Sequence, residues 1–349
     1  MAIAEHEAGA HGAEPPLLAV RDLQVEFDTR RGRVRAVRGL SYEVRPGEAL
    51  GLVGESGSGK SVSALAVLGL LPRRTARIAA GSIRLRGEEL VGRSERELRA
   101  LRGSTVALVF QDSLSSLNPV LTIGRQITEQ LEAHGKASGK AAERRAVELL
   151  ERVGIPGAAR RVRQHPHELS GGMRQRAMIA MALSCEPALL VADEPTTALD
   201  VTIQAQILEL LAELRDTLGM SVLLITHDLG VVAGFTDRVA VMYAGRIVEQ
   251  GPTEPLLARP SHPYTLGLLA SVPRLDRPRQ ATLTPIPGVP PNLGAEIRGC
   301  PFRPRCAAAV ARCAAEDPPL EQVGEAPRSV ACWSPRHEDP APDAEAVFG

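Results

Sequence analysis

The sequence has few aromatic residues, few cysteines and no net charge. Only 3% of its 349 residues are aromatic, and 41 basic residues balance 41 acidic ones. A dedicated nucleic-acid-binding protein usually carries a basic excess, so we expect no nucleic acid as a partner. No apolar run approaches the roughly 18 residues that a membrane helix needs. Five cysteines do not indicate a secreted disulfide scaffold, and residues 1–16 lack a signal-peptide pattern and are predicted to form a disordered leader.

Lysine is also scarce, and one of the three lysines lies in the stretch Gly54-Glu55-Ser56-Gly57-Ser58-Gly59-Lys60-Ser61. This is the G-x-x-x-x-G-K-S spacing of a phosphate-binding loop, and it stands between a strand-like apolar run and a helical pattern. In such a loop backbone N–H groups surround phosphate oxygens, Lys60 binds the β- and γ-phosphates, and the Ser61 hydroxyl ligates Mg²⁺. A compact ammonium fits between phosphates better than a planar guanidinium. A lysine here, in an arginine-rich chain, therefore favours a nucleotide site over a turn without a ligand.

Polar residues follow three further apolar runs that are typical of buried strands. Gln111 follows residues 106–110, Asp193-Glu194 follows 188–192, and His227 follows 221–226. Open α/β sheets bind ligands at the carboxyl ends of their strands. We expect Asp193 to hold Mg²⁺ through water, Glu194 to deprotonate the attacking water, and His227 to contact the γ-phosphate. Gln111 is predicted to contact Mg²⁺ or water, although a lone glutamine is more often a solvated loop residue.

A second candidate anion site is Ser170-Gly171-Gly172, which precedes a helical run from Met173. Serine is a favoured N-cap, and the glycines expose backbone N–H groups. Taken alone, the stretch is explained as well by an ordinary capped helix. Asp200 precedes another helix, whose apolar stripe is predicted to be core: Ile203, Ile207, Leu210, Leu211, Leu214 and Leu218.

The rest of the chain divides into segments of different composition. Residues 17–27 and 34–44 alternate as strands do, which predicts an antiparallel layer beside the nucleotide. Phe27 ends the first strand, where its ring could stack on a base, although the sequence alone favours an ordinary half-buried strand residue. Residues 121–184 are predicted to form a helical insertion. Most of the 27 prolines follow Gly251, which predicts a Pro-rich linker over residues 252–295, a cysteine-containing module over 296–335 and a loose tail over 336–349.

Four of the cysteines lie in the last module: Cys300, Cys306, Cys313 and Cys332. Zinc sites typically begin with two ligands two to four residues apart, and this run has no such pair. The wider spacing suits a four-thiolate iron–sulfur cluster. Four reduced thiols without metal are a comparable alternative. Arg298, Arg303 and Arg305 surround the first two cysteines and would offset the charge of a thiolate cluster.

The order of these motifs resembles the ATP-binding subunit of ABC transporters over residues 17–250. The motifs are the phosphate loop, Gln111, residues 169–176, Asp193-Glu194, Ala198-Leu199-Asp200 and His227. Three stretches resemble the oligopeptide/dipeptide and nickel importer group: His165-Pro166-His167-Glu168, His262-Pro263-Tyr264-Thr265 and residues 299–306. The resemblance implies an α/β fold. It would have a P-loop NTPase core of ABC type over residues 17–251, with a RecA-like sheet and an antiparallel β layer. A helical insertion subdomain and a small cysteine-containing C-terminal extension would complete it.

The resemblance also implies ATP and Mg²⁺ as ligands and a site shared between two subunits. Ser170, Gly171 and Gly172 would hold the γ-phosphate of a partner's ATP, and Asp200 would lie at the same seam. Gln111 and the helical insertion would dock a membrane permease. Phe27 stands where the family usually has tyrosine, so only base stacking carries over. Some members carry a [4Fe–4S] cluster in the cysteine-containing tail.

The partners implied are two membrane permease subunits, a second ATPase subunit that is the same or a homologous chain, and, indirectly, an extracytoplasmic substrate-binding protein. The chain would be peripheral, at the cytoplasmic face of the inner membrane, and would hydrolyse ATP to drive uptake of oligopeptides or dipeptides. Nickel or another non-peptide solute is the alternative cargo. An ABC ATPase acting on DNA or ribosomes is disfavoured by the single phosphate loop and short insertion. A P-loop kinase is disfavoured by the Asp193-Glu194 pair, and a non-catalytic regulatory subunit by the presence of Glu194 and His227.

Overall fold

A computed structural model of the chain describes residues 15–30, 32–112, 116–197, 199–271, 285–324 and 327–336. The strands are β1 Leu18–Thr29, β2 Gly32–Val44, β3 Ala49–Val53, β4 Ala76–Leu85, β5 Glu88–Glu89, β6 Val106–Val109, β7 Leu189–Asp193, β8 Ser221–Thr226, β9 Arg238–Tyr243, β10 Arg246–Pro252, β11 Glu321–Gln322 and β12 Ser329–Val330. The α-helices are α1 Lys60–Val67, α2 Glu95–Leu101, α3 Ile123–Ala133, α4 Gly139–Arg152, α5 Ala158–Arg161, α6 Gly171–Ala182, α7 Val201–Leu218, α8 Leu229–Phe235, α9 Thr253–Ala258, α10 Pro263–Ala270 and α11 Arg312–Ala315. Two short 3-10 turns cover Pro166–Glu168 and Arg303–Arg305.

Four strands form an antiparallel sheet in the order β2-β1-β4-β5. Strands β1 and β2 are a hairpin whose register pairs Phe27 with Val34. One face of β1 is apolar and fully buried, because Leu18, Val20 and Val25 point into the core. This is the predicted antiparallel layer, and its two long strands extend a few residues beyond the predicted 17–27 and 34–44.

The second sheet has eight strands in the order β11-β12-β10-β9-β3-β8-β7-β6. Strands β9, β3, β8, β7 and β6 run parallel. Strand β3 and the first four residues of β7 are wholly buried, as is all of β8, which is typical of a parallel sheet covered on both faces. Parallel strands end at one edge, so the residues after β3, β6, β7 and β8 are neighbours. The predicted α/β core with its antiparallel layer is confirmed.

Residues 121–184 are described throughout and contain four α-helices and no strand. Helices α3, α4 and α6 pack on one another through buried apolar side chains such as Ile127, Ala146 and Leu150. The same cluster continues into α7, where Ile207, Leu210, Leu211 and Leu214 are buried, while Ile203 and Leu218 are only partly buried. The predicted helical insertion is therefore present and shares a core with the sheet. Among the described residues, no helix is long and apolar enough to span a membrane.

The described part of the C-terminal region differs from a simple Pro-rich linker over residues 252–295. Residues 272–284 of the predicted linker lie outside the described residues, as do 1–14 of the predicted leader and 337–349 of the predicted tail. Residues 253–258 and 263–270 are the helices α9 and α10, not extended chain. Tyr264 on α10 is fully buried, and its ring lies 4.5 Å from that of Tyr243 and 5.4 Å from that of Phe302. Strand β12 pairs antiparallel with β10, so the region extends the main sheet. Burial of these large rings outweighs the proline content, and Pro263 at the first helical turn is compatible with a helix.

Candidate active site

The phosphate-loop stretch connects β3 to α1, as predicted, and close backbone packing requires two of its glycines. A Cβ atom on Gly54 would lie 2.1 Å from the carbonyl oxygen of Met242. A Cβ atom on Gly59 would lie 2.5 Å from the carbonyl oxygen of Ala36, and Gly59 has a φ angle of +104°. No larger residue fits at either position, so the loop stays close to the sheet and its backbone faces the cavity.

Lys60 is buried at the start of α1. Its Nζ donates hydrogen bonds to the carbonyl oxygens of Gly54, at 2.7 Å, and of Glu55, at 3.1 Å. Burial lowers the pKa of Lys60, and the carboxylates of Glu194, Asp193 and Glu55 oppose that shift. The ammonium is thus held inside the loop, among carboxylates.

Ser61 and Asp193 are two of the three residues predicted to hold Mg²⁺; the third, Gln111, instead binds Glu194. The Ser61 hydroxyl donates to Oδ1 of Asp193 at 3.0 Å. Burial raises the pKa of the Asp193 carboxyl group, whereas the hydrogen bond from Ser61 lowers it. A hydroxyl oxygen next to a partly desolvated carboxylate is the hard-oxygen environment that Mg²⁺ prefers, so the residues present fit the ion.

Glu194 is held by three side chains. Its Oε2 accepts hydrogen bonds from Nε2 of Gln111, at 2.8 Å, and from Oγ1 of Thr197, at 2.9 Å, and its Oε1 lies 3.1 Å from Nδ1 of His227. Glu194 has a φ angle of +47°, a strained conformation for a non-glycine residue and one that clusters at functional sites. The structure therefore brings Gln111, Glu194 and His227 together. Sequence reasoning missed Thr197, which lies only three residues after Glu194.

A cavity of about 950 Å³ joins these groups. It is lined by Ala36, Gly54, Glu55, Ser56, Gly57, Gly59, Lys60, Ser61, Val62, Gln111, Glu194, Thr197, His227, Leu268, Ser271, Pro285 and Ile286. The last four belong to the C-terminal region, which sequence reasoning did not place at the site. The volume is within the range of ligand pockets and accommodates a nucleotide.

Seven residues predicted to bind nucleotide or Mg²⁺ do not line this cavity: Phe27, Ser58, Ser170, Gly171, Gly172, Asp193 and Asp200. Phe27 is half-buried in β1 and packs against the apolar core between the sheets. Ser170 is the N-cap of α6, its Oγ accepting from the N–H of Met173 at 3.3 Å. Asp200 caps α7 in the same way through the N–H of Ile203, at 3.0 Å. Within one chain Ser170 and Asp200 act as helix caps.

The predicted iron–sulfur site finds no support. Within the described residues, which include all five cysteines, no group of three or more His, Cys, Asp or Glu side chains is placed to hold a metal ion. Burial raises the pKa of Cys300 and of Cys332 to about 11. Arg305, predicted to offset thiolate charge, instead binds Glu55, and Arg298 pairs with Glu296 at the surface.

Two family profiles match the chain. The profile described as ABC transporter matches residues 37–197, and that described as oligopeptide/dipeptide transporter, C-terminal region, matches residues 248–313. A Sinorhizobium fredii protein named probable peptide ABC transporter ATP-binding protein y4tR is 52% identical over 317 residues, covering 91% of this chain and 94% of that protein. This chain belongs to the ABC transporter ATP-binding family.

Other relatives agree with this family membership. The oligopeptide transport ATP-binding protein OppD of Bacillus subtilis is 51% identical over 88% of this chain and 86% of its own length. The OppD of Mycobacterium tuberculosis is 54% identical over 88% of this chain, which spans 50% of that protein. The ATP-binding cassette MJ0796, solved as a dimer bound to ADP and Pi, has a TM-score of 0.61 at 26% identity and covers 68% of this chain and 99% of its own. The protein is thus an ABC ATPase with a P-loop NTPase core.

Proposed function

We propose that this ABC ATPase powers an importer of oligopeptides or dipeptides by hydrolysing ATP at the cavity described above. The observation that carries the proposal is the Glu194 carboxylate, held by Gln111, Thr197 and His227 beside the phosphate loop. A carboxylate with this support can orient a water molecule and accept its proton. A loop that presents backbone N–H groups and one lysine is suited to binding phosphate.

In the proposed reaction the chain mainly positions its substrate and stabilises charge. Lys60 would bind the β- and γ-phosphates, and the Ser61 hydroxyl and Asp193 would hold Mg²⁺, which when bound would neutralise charge on the phosphate oxygens. Glu194 accepts a proton from the water that attacks the γ-phosphorus, and the bond from that phosphorus to the β–γ bridging oxygen breaks, so that phosphate forms and ADP leaves. His227 holds the Glu194 carboxylate and lies where it can contact the γ-phosphate. Gln111 holds the other carboxylate oxygen, so a movement of the segment after β6 would change the position of Glu194.

The second half of the site is proposed to come from another subunit. Ser170, Gly171, Gly172 and Asp200 stand at the starts of two helices and outside the cavity of their own chain. Exposed N–H groups at a helix start favour an anion. We infer that the first three bind the γ-phosphate of a nucleotide on the partner, with Asp200 at the seam and Phe27 stacking on the base.

The proposed cargo and partners follow from the relatives. Their names specify peptide or oligopeptide transport, and the profile of the C-terminal region is named for the same transporters. We propose two membrane permease subunits, a second ATPase subunit of the same or a homologous kind, and an extracytoplasmic substrate-binding protein that acts indirectly. The chain would sit peripherally at the cytoplasmic face of the inner membrane.

Hydrolysis is tested with Lys60→Ala. The variant loses the cation that faces the β- and γ-phosphates, and we expect ATP turnover to fall by about a hundredfold or more. Phosphate release by the purified protein, with its permease where turnover requires it, measures the effect. Lys140→Ala, which removes an exposed lysine on α4, is the matched control and should hydrolyse ATP normally. Undiminished turnover in Lys60→Ala would refute the site.

The cargo is tested in cells that lack the gene. Uptake of a radiolabelled tripeptide, a dipeptide and ⁶³Ni²⁺ is compared before and after complementation with the wild-type chain or with Lys60→Ala. We expect peptide uptake to return only with the wild-type chain. If only nickel uptake returned, the peptide proposal would be refuted and nickel would be the cargo.

A further inference from the structure

A buried arginine of the C-terminal extension, defined here as residues 253–336, reaches into the phosphate loop. Arg305 lies in the 3-10 turn Arg303–Arg305, 250 residues beyond Glu55 in the chain. Its two terminal nitrogens donate to the two carboxylate oxygens of Glu55 at 2.7 and 2.9 Å. The Arg305 side chain is 4% exposed and that of Glu55 25%. A parallel, two-bonded pair of this kind is both strong and geometrically specific.

Arg305 is itself held rigidly. Its Nε donates to the carbonyl oxygen of Pro287 at 2.9 Å, and the guanidinium lies over the rings of Tyr243 and Phe302, 5.8 and 5.9 Å from their centroids. The hydrogen bond to Glu55 is the main cause that raises the pKa of Arg305. The hydrogen bond to Pro287 and the two ring contacts fix the guanidinium independently of Glu55, so Arg305 is placed to position the Glu55 carboxylate.

Tyr264 of the extension holds the backbone of the same residue. The N–H of Glu55 donates to the Tyr264 hydroxyl at 2.8 Å, and Tyr264 is fully buried. Both the side chain and the amide of Glu55 are therefore bound by the extension. The Glu55 carbonyl in turn accepts from Nζ of Lys60, so a continuous set of contacts joins Arg305 to the lysine of the loop.

The pairing of Glu55 with Arg305 affects the charge that a bound triphosphate would meet. Glu55 lines the cavity and exerts an electrostatic effect on Lys60. An unpaired carboxylate there would repel a triphosphate and compete with it for the ammonium, whereas the paired one is neutralised. In a partly dry cavity such effects are several-fold larger than in water.

We propose that Arg305, with Tyr264, is a positioning residue of the phosphate loop that sets the affinity for the triphosphate through Glu55. The proposal rests on the proposed function, since MgATP is the ligand. The position of the extension would then affect nucleotide binding. A change in how the extension packs on the phosphate loop would change the affinity for ATP. Neither residue touches the reacting atoms, so the affinity should change more than the rate at saturation.

The test is a double-mutant cycle on the full-length chain, with MgATP titrated by calorimetry. Arg305→Met should weaken MgATP binding by about tenfold or more, because it leaves the Glu55 carboxylate unpaired. Glu55→Gln removes the carboxylate and serves as the reference variant of the cycle. The double variant should recover to within about threefold of Glu55→Gln, because the repulsive charge is gone. A purely structural role for Arg305 would leave the double variant as weak as Arg305→Met.

Controls distinguish failure of this proposal from misfolding of a variant and from failure of the proposed function. Arg303→Met removes an exposed arginine from the same 3-10 turn and should bind MgATP normally. If Arg305→Met does not fold, Tyr264→Phe decides, because it keeps the ring and removes only the acceptor; unchanged affinity there overturns the proposal. Failure of the wild type to bind MgATP would refute the proposed function. Wild-type binding that is lost in Lys60→Ala but kept in Arg305→Met would refute this inference alone.

Discussion

At the scale of single residues, the site is defined by how Glu194 is restrained. The carboxylate follows β7 in a left-handed backbone conformation and is bound by an amide, a hydroxyl and an imidazole from three other positions. An acceptor that is restrained on both oxygens loses little entropy when it binds a water molecule, which favours a role in positioning the nucleophile. The Glu194 side chain is only 16% exposed. Its position therefore depends on the hydrogen bonds from Gln111, Thr197 and His227.

Glu194→Gln tests this role directly. The amide keeps the shape of the side chain but cannot accept a proton, so we expect kcat to fall by about 10²- to 10⁴-fold while MgATP still binds. Steady-state phosphate release and calorimetry measure the two effects. Glu186→Gln is the matched control, because Glu186 also has a positive φ angle of 54° and is exposed in a salt bridge with Arg145. Near-normal turnover in Glu194→Gln would show that another group takes the proton.

At the scale of elements, α10 determines how the extension docks. Its N-cap is His262, whose Nδ1 accepts from the N–H of Tyr264 at 3.0 Å, so the cap sets the direction of the helix that carries Tyr264. The adjacent carboxylate of Glu249 is also fully buried and accepts from the N–H groups of Ser261 and His262 and from Arg328. The start of α10 is thus held by buried hydrogen bonds next to an apolar cluster.

Burial of His262 makes the docking of α10 sensitive to pH. It lowers the pKa of His262 to about 3, compared with 6.5 for the free side chain. Between those values the unfolded chain binds a proton on His262 that the folded chain does not, so stability falls as the pH drops below 6.5. The loss approaches about 1.4 kcal/mol per pH unit in that window.

His262→Asn should make stability less dependent on pH. Asparagine can still cap the helix but does not titrate, so the thermal midpoint should fall less steeply between pH 6.5 and 4.5 than in the wild type. At pH 7.5 we expect a modest loss of stability, because the hydrogen bond to the backbone of Ala331 is lost. His167→Asn, at an exposed histidine, should leave the wild-type slope unchanged. An identical slope for His262→Asn and the wild type would contradict the argument.

At the scale of the whole molecule, the proposed reaction would use residues of two chains. The cavity is lined by most of the phosphate loop, by Glu194 and by His227, whereas Ser170 and Asp200 lie outside it. The comparison structure of MJ0796 bound to ADP and Pi is described as dimeric. A site divided between two chains would make hydrolysis depend on association, which gives a way to couple it to movement of a permease.

Mixing two inactive variants tests the divided site. Ser170→Arg should block the half offered to a partner, and Lys60→Ala should block the half that binds phosphate. Light scattering in MgATP first establishes whether the chain dimerises with itself. If it does, a mixed dimer retains one site with both halves intact, and part of the turnover should return. A self-dimer without any recovery would refute the shared site, and Lys60→Ala alone is the inactive reference.

Much of the fold, and several side chains of the site, could be predicted from short sequence patterns. Apolar runs of five or six residues identified the parallel strands, and the residue after each run identified Gln111, Glu194 and His227, because parallel strands bring their carboxyl ends to one edge. Glycine spacing and one lysine identified the phosphate loop. The caps at Ser170 and Asp200 were also visible, since an N-cap acts within three residues.

The sequence by itself determined these features because each depends on residues close together in the chain. Only the tertiary structure decided the rest. That residues 253–270 are helical, that Tyr264 and Phe302 are core, and that Arg305 binds Glu55 all depend on what surface is within reach after folding. High proline content suggested extended chain, but apolar burial against β9 outweighed it. Arg305 was assigned to the cysteines beside it, whereas its partner lies 250 residues away, and a charge pairs with what is near in space.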